Sequence, residues 1–215
     1  MKRISSIILG AVAVVLAVAP LAFAEGYAGF RLGANMASMT GDDADQIPDS
    51  RLGFAGGAFL GFDSGKRLGF RGDVLYTMKG GKTSTDETLK LDYLETAMLL
   101  TVRQTLTERF TLRAFIGPVF GLFVNAEGTG FLPDTTGDPT FEVDTDLGDI
   151  VKHFEVSGTL GLELDVRTGP YITLLEARYT QGSRVFEDIG LDGQPLDLKV
   201  SNSGIGLLAG LMIPF

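Results

Sequence analysis

From Tyr27 onward the chain alternates. Ala28, Phe30, Leu32, Ala34 and Met36 fall on one phase, and Gly29, Arg31, Gly33 and Asn35 on the other. A strand sends successive side chains to opposite faces, so period two predicts one apolar and one polar or glycine-rich face. The pattern returns in Arg51 to Asp63, with Phe54, Ala58, Leu60 and Phe62 opposite Gly53, Ala55, Gly57 and Gly61. Arg67 to Lys79 sets Leu68, Phe70, Val74, Tyr76 and Met78 against Arg67, Arg71, Asp73, Thr77 and Lys79. A fourth segment, Leu89 to Gln104, is less regular, because Tyr93 and Leu99 fall among Glu95, Thr101 and Arg103. In the fifth, Phe110 to Asn125, Phe115 and Phe123 interrupt a face of Thr111, Arg113, Gly117, Gly121 and Asn125. His153 to Arg167 is the cleanest, with Phe154, Val156, Leu160, Leu162, Leu164 and Val166 facing Glu155, Ser157, Thr159, Glu163 and Asp165. Tyr171 to Gln181 and Leu198 to Phe215 complete eight segments.

The connections alternate too. Ala37 to Ser50, Gly80 to Thr88, Ala126 to Lys152 and Gly182 to Asp197 are the longer ones. Ser64-Gly65-Lys66, Thr105 to Arg109 and Thr168-Gly169-Pro170 are short. Eight strands with long connections at one end and tight turns at the other predict an all-β, eight-stranded, antiparallel up-and-down barrel. A soluble barrel of this kind would be apolar inside and charged outside. Here the apolar phases lack charge over the middle of each strand, while the opposite phases mix glycine with both signs of charge. A charge on a lipid-facing midplane costs ~2–4 kcal/mol, so its absence predicts a transmembrane barrel with the charges inside. There is no tryptophan. Interfacial girdles must then come from phenylalanine and tyrosine, with Tyr27, Phe62, Tyr76, Tyr171, Tyr179 and Phe215 as candidates.

Residues 1–24 read as a cleaved export signal rather than as part of the fold. Lys2 and Arg3 precede an apolar run from Ile7 to Ala19, and Ala22-Phe23-Ala24 has the small-x-small form of a cleavage site. The remaining 191 residues, 25–215, suit one domain. They carry 16 basic and 27 acidic side chains, a formal charge of −11 that speaks against a nucleic-acid partner. With no cysteine there is neither a disulfide framework nor a thiolate metal site.

The string Asp73-Val74-Leu75-Tyr76-Thr77-Met78-Lys79-Gly80, followed by Tyr93-Leu94-Glu95-Thr96-Ala97-Met98-Leu99-Leu100, resembles the PorT-like outer membrane protein beta-barrel family. Gly117-Pro118 and Glu176-Ala177-Arg178-Tyr179 fit the same likeness, which covers nearly all of the exported chain. Two positions depart from the family's habit, Asp73 where glutamate is usual and Ala97 where proline is usual. The resemblance implies an eight-stranded barrel in the outer membrane of a Gram-negative bacterium, surrounded by outer-membrane lipid. The apolar closing strand resembles those of such barrels, and its terminal Phe215 is implied to be a signal to the barrel-assembly machinery. A monomer is expected.

The chemistry on offer is the set of inward charges: Arg31, Arg71, Asp73, Lys79, Glu95, Arg103, Arg113, Glu155, Glu163, Asp165, Arg167, Glu176 and Arg178. They predict either a conducting or binding lumen or a salt-bridged plug. An eight-stranded interior is just wide enough for side chains to fill, and buried charges must pair, which favours the plug. No Ser/His/Asp set accompanies the carboxylates, and His153 is the sole histidine, so neither a catalytic set nor a histidine metal site is expected. No cofactor is implied. The connections are acidic: Asp42, Asp43, Asp45 and Asp49 in the first, and Glu127, Asp134, Asp138, Glu142, Asp144, Asp146 and Asp149 in the third. Their spacing is not that of a calcium loop, and solvated loop charge is the expectation. The function expected is non-enzymatic, structural or surface-interacting through these acidic extracellular loops. A narrow porin and an outer-membrane lipid-modifying enzyme are the alternatives.

Overall fold

A computed structural model describes residues 25–41, 49–64, 67–82, 88–132, 141–146, 154–184 and 201–215. The export signal, His153, Asp42, Asp43, Asp45, Asp134, Asp138 and Asp149 lie outside the described residues, as do the side chains of Glu127, Glu142, Asp144 and Asp146.

Among the described residues nine strands follow one another: β1 (Glu25–Thr40), β2 (Asp49–Asp63), β3 (Leu68–Lys82), β4 (Thr88–Thr105), β5 (Phe110–Leu132), β6 (Phe141–Asp146), β7 (Phe154–Thr168), β8 (Tyr171–Arg184) and β9 (Ser201–Pro214). Eight of them close into an antiparallel barrel in the order β4-β3-β2-β1-β9-β8-β7-β5, and β4 pairs with β5 to complete the circle. The closing seam between first and last strands runs from Tyr27 opposite Pro214 to Thr40 opposite Ser201. Phe215 extends it by exchanging two backbone hydrogen bonds with Gly26, at 3.1 and 2.8 Å. Closure leaves no unpaired edge in the wall, a condition for strands that cross hydrocarbon.

The ninth strand, β6, belongs to the third long connection and not to the wall. Among the described residues it pairs only with the outer end of β5, from Glu127 opposite Asp146 to Leu132 opposite Phe141. Residues 126–132 and 141–146 were expected to be loop. Their period-two content is too short and too acidic to stand out, and β5 carries its pairing well past the apolar band. The other strands likewise run beyond the segments read from hydropathy. Asp49, counted among the loop acids, is the first residue of β2. The last strand begins at Ser201, and the expected start at Leu198 lies outside the described residues.

The short turns are built for their geometry. Gly169, at φ 65°, precedes Pro170 between β7 and β8, and positive then negative φ is the order of a type II′ hairpin turn. In the β4–β5 turn the Thr107 hydroxyl accepts hydrogen bonds from the amides of Arg109 (3.2 Å) and Phe110 (3.1 Å).

The apolar phases face outward on every wall strand. Phe30, Leu32, Val74, Leu100, Ile116, Leu160, Leu162, Leu175, Leu207 and Ile213 are all exposed, together a belt far larger than a water-soluble monomer carries. Aromatic side chains stand at both rims of the belt: Phe62, Phe70, Phe110, Tyr171 and Phe215 toward the short turns, Tyr76, Phe120, Phe154 and Tyr179 toward the long connections. Tyr27 is not among them. It was a girdle candidate, but it shares the odd phase of Arg31 and is buried in the lumen, 3% exposed.

Candidate functional site in the barrel lumen

The lumen is a stack of three ionic layers. Each draws its side chains from the polar phases of several strands, and glycine makes the room. Arg31 on β1 lies between Gly57 of β2 and Gly210 of β9. Arg178 on β8 lies between Gly161 and Gly206, Arg71 lies opposite Gly61, and Glu155 lies opposite Gly121. A Cβ at Gly57 would come 2.8 Å from the Leu75 Cα, and one at Gly210 would come 2.8 Å from the Arg31 Cα. The glycines therefore allow both long side chains and close strand approach in a narrow barrel.

The central layer holds Arg31, Arg71, Asp73, Glu163, Glu176 and Arg178. Arg71 spans it: Nε meets Asp73 at 3.0 Å, Nη1 meets Glu163 at 2.7 Å and Nη2 meets Glu176 at 2.9 Å. Arg31 pairs with both Asp73 and Glu176, and its Nη1 lies 3.7 Å from Glu163. Arg178 binds Glu176 through Nε at 2.5 Å and Asp73 through Nη2 at 3.1 Å. Three guanidinium groups and three carboxylates thus cross-link β1, β3, β7 and β8. Apart from Arg178, their side chains have no exposure to solvent.

Two phenylalanine rings complete this layer. Phe59 lies 4.9 Å from the Arg31 guanidinium and 5.5 Å from that of Arg71. Phe115 lies 4.7 Å from Arg71 and 5.4 Å from Arg178. An aromatic face attracts a desolvated cation, so these rings cover guanidinium faces that carboxylates cannot reach.

Toward the short turns, Arg113 is the hub. It meets Asp63 at 2.9 Å, Glu163 at 3.3 Å and Asp165 at 3.4 Å, hydrogen-bonds the Tyr27 hydroxyl at 3.2 Å, and lies 4.6 Å from the Tyr27 ring. Arg103 reaches Asp63 at 3.1 Å and Glu25 at 2.9 Å. Arg167 stays outside the network, exposed at the rim.

Toward the long connections, Lys79 lies between Glu95 at 2.7 Å and Glu155 at 3.1 Å, 4.9 Å from the Tyr93 ring. The Thr77 hydroxyl donates to Glu95 at 2.8 Å, while Ser157 and Asn202 donate to Glu155 at 2.8 and 3.1 Å. A small cavity of about 20 Å³, water-sized, lies beside this layer, bordered by polar Asn35, Thr77, Lys79 and Glu95 and by apolar Ala55, Leu75 and Leu208.

All the inward charges read from the sequence except Arg167 therefore meet in the lumen. Asp63, Phe59, Asn35 and Asn202 join them without having been singled out. For Asp63 and Phe59 the signal was available, since both share the odd phase of Gly57 and Gly61 on β2. Tyr93, Leu99 and Phe115, which blurred the polar phase of β4 and β5, are buried there as packing between charges. At Phe123 the cause is a register shift: Asp92 faces Asn125 but Tyr93 faces Phe123, so Val124 is an extra residue. Among the described residues no cluster of His, Cys, Asp or Glu has the form of a metal site.

Residues 26–182 match the family model of the outer membrane protein beta-barrel domain. The chain belongs to that family. It is thus an outer-membrane barrel, and in such barrels the short turns are periplasmic and the long connections extracellular. The chain is also similar, at low identity, to several solved structures. Ail, the attachment invasion locus protein of Yersinia pestis, is 16% identical over 88% of this chain and 100% of its own, with a TM-score of 0.46. OprG of Pseudomonas aeruginosa is 12% identical over 90% and 97%, with a TM-score of 0.48. The outer membrane protease OmpT of Escherichia coli is 8% identical over 92% and 99%, with a TM-score of 0.45. No curated protein matches the chain.

Proposed function

We propose that this protein is a non-enzymatic outer-membrane barrel whose lumen is a sealed ionic plug and whose activity lies at the cell surface, in contacts made by its acidic extracellular connections. The observation that carries the reading is the central layer. Arg31, Arg71, Asp73, Glu163 and Glu176 join strands across the lumen with no solvent-exposed side-chain surface, so a solute path would have to break several charge-assisted contacts at once. The alternative of a lipid-modifying enzyme finds no support in the lumen carboxylates, which are engaged by arginine or lysine, and the hydroxyls beside them, Ser157 on Glu155 and Thr77 on Glu95, are buried with them. The strings at residues 73–80 and 93–100 support a PorT-like position within the family.

Planar-bilayer recording tests the reading against the narrow porin. The purified barrel is expected to leave the bilayer silent, and steady, reproducible unitary conductance would establish the porin instead.

A further inference from the structure

We infer that the outer edge of β6 is a docking site for an extended, basic segment of another protein, which adds to the extracellular sheet as a further strand. The inference rests on the reading that the activity lies in the acidic extracellular connections, and it names the kind of partner.

The edge itself is the first observation. The wall closes on itself, but β6 stands outside it, at the end of the strand order. Its residues, Phe141–Asp146, pair with β5 on one side, and among the described residues nothing pairs with the other side. The wall strand β7 follows β5 outward only as far as Phe154 opposite Leu122. Beyond that point β4 continues the sheet on the far side of β5, with Lys90 opposite Glu127 and Thr88 opposite Thr129. The free side of β6 is thus the border of a sheet that extends past the barrel wall. A strand's unpaired row of amides and carbonyls is a template for another strand.

Charge is the second observation. Glu142, Asp144 and Asp146 occupy every second position of β6, and the residues opposite them on β5 are Phe131, Thr129 and Glu127. None of the three stands opposite a basic residue, and Asp146 stands opposite another acid, an arrangement that destabilises a ladder. From Ala126 to Val151 the sequence contains no lysine or arginine. The cations that would offset this row are therefore not supplied by the connection that carries it.

Together the two observations define the occupant. In an added antiparallel strand, residues i, i+2 and i+4 fall opposite Asp146, Asp144 and Glu142, so the segment carries lysine or arginine at every second position. A second copy of this chain does not fit. Two β6 edges paired antiparallel about Asp144 would set Asp144 opposite Asp144 and Glu142 opposite Asp146, acid against acid. The charges that keep copies apart admit a basic strand.

The test uses the full barrel in nanodiscs of phosphatidylcholine, whose headgroup has no net charge, and labelled peptides read by fluorescence anisotropy. One peptide alternates lysine with threonine, and a second has the same composition with its lysines consecutive. Opposite-charge pairs at three positions of a ladder are together worth about tenfold, so the alternating peptide should bind about ten times more tightly. E142Q/D144N/D146N, checked for folding by its gel shift on heating, should remove that preference. Methylating the backbone nitrogens along one edge of the alternating peptide keeps every charge and should also remove it, in the unaltered barrel and so whether or not the variant folds. Equal binding of the two unmodified peptides would overturn strand addition and leave the acidic connections as a diffuse charged surface. An unchanged preference in the folded variant, or undiminished binding of the methylated peptide, would overturn it as well. Failure of the underlying reading shows separately, as unitary conductance in the planar bilayer.

Discussion

The two faces of the same strands solve opposite problems. On the outer face, Leu32, Val74, Leu160 and Leu207 need only be apolar, because the partner is fluid hydrocarbon with no shape of its own. On the inner face, each residue must fit named neighbours. Arg31 needs Gly57 and Gly210 beside it, Asp73 and Glu176 at its guanidinium, and the Phe59 ring over its face. The outer face is thus specified by class and the inner face by identity. Residues one position apart should therefore answer to mutation in different ways.

The largest contrast lies in the central layer. Arg71 meets Asp73, Glu163 and Glu176 at 3.0, 2.7 and 2.9 Å, so Arg71→Met takes one cation from each of three buried carboxylates. Removing one partner from a buried ionic set costs about 3–5 kcal/mol, and urea unfolding in vesicles should register a loss of that size. Arg71→Lys should fall short of rescue, because an ammonium cannot present three donors in one plane to three acceptors. A loss below about 1 kcal/mol would mean that the network fills space and specifies nothing. The matching attack on the outer face is Val74→Lys, mid-strand and 46% exposed. It should cost ~2–4 kcal/mol by placing a charge in hydrocarbon, whereas Val74→Leu should be nearly silent in the same assay.

The difference between the faces also decides what could be read from the sequence. The outer face needs only a class of residue, and class is visible as period two. The strands, the closed barrel and the inward charges follow from it. Identity on the inner face is set by partners distant in the chain, and these leave no local trace. Nothing near Arg113 marks Asp63, fifty residues upstream, as its partner, and nothing near Arg71 marks Phe115 as its cover. Tyr93, Leu99 and Phe115 read as faults in the alternation because an interior mixing charge with aromatic covers is not uniformly polar. Tyr27 was placed with the girdles by residue type although its phase put it inside. The strand β6 was missed because it pairs with the outward extension of β5, where no apolar belt imposes a pattern.

A subtler break concerns space. Gly57→Ala adds one methyl group against the β3 backbone, with the Leu75 Cα 2.8 Å away, on the residue facing Arg31. Overpacking of this kind costs typically 1–3 kcal/mol. Ala58→Gly, the next residue but on the outer phase, removes a methyl from lipid contact and disturbs no packed neighbour. If Gly57→Ala proved as mild as Ala58→Gly in urea unfolding, strand approach would not be what selects glycine at position 57.

The finest comparison is on β9, between Leu207 and Leu208. Leu207 is 62% exposed to the bilayer and Leu208 is 3% exposed in the lumen. Isoleucine has leucine's volume with its branch moved by one carbon. Lipid chains adjust to that shift, so Leu207→Ile should leave the unfolding midpoint unchanged. Leu208 packs in a fixed interior facing Gly33 of β1 and Glu176 of β8, where a volume-conserving change of shape costs up to about 1.5 kcal/mol. Leu208→Ile should therefore lower the midpoint by a small, reproducible amount. If both substitutions were silent, the inner face would tolerate changes of shape as fluid lipid does, and the specificity of the lumen would reside in its charges alone.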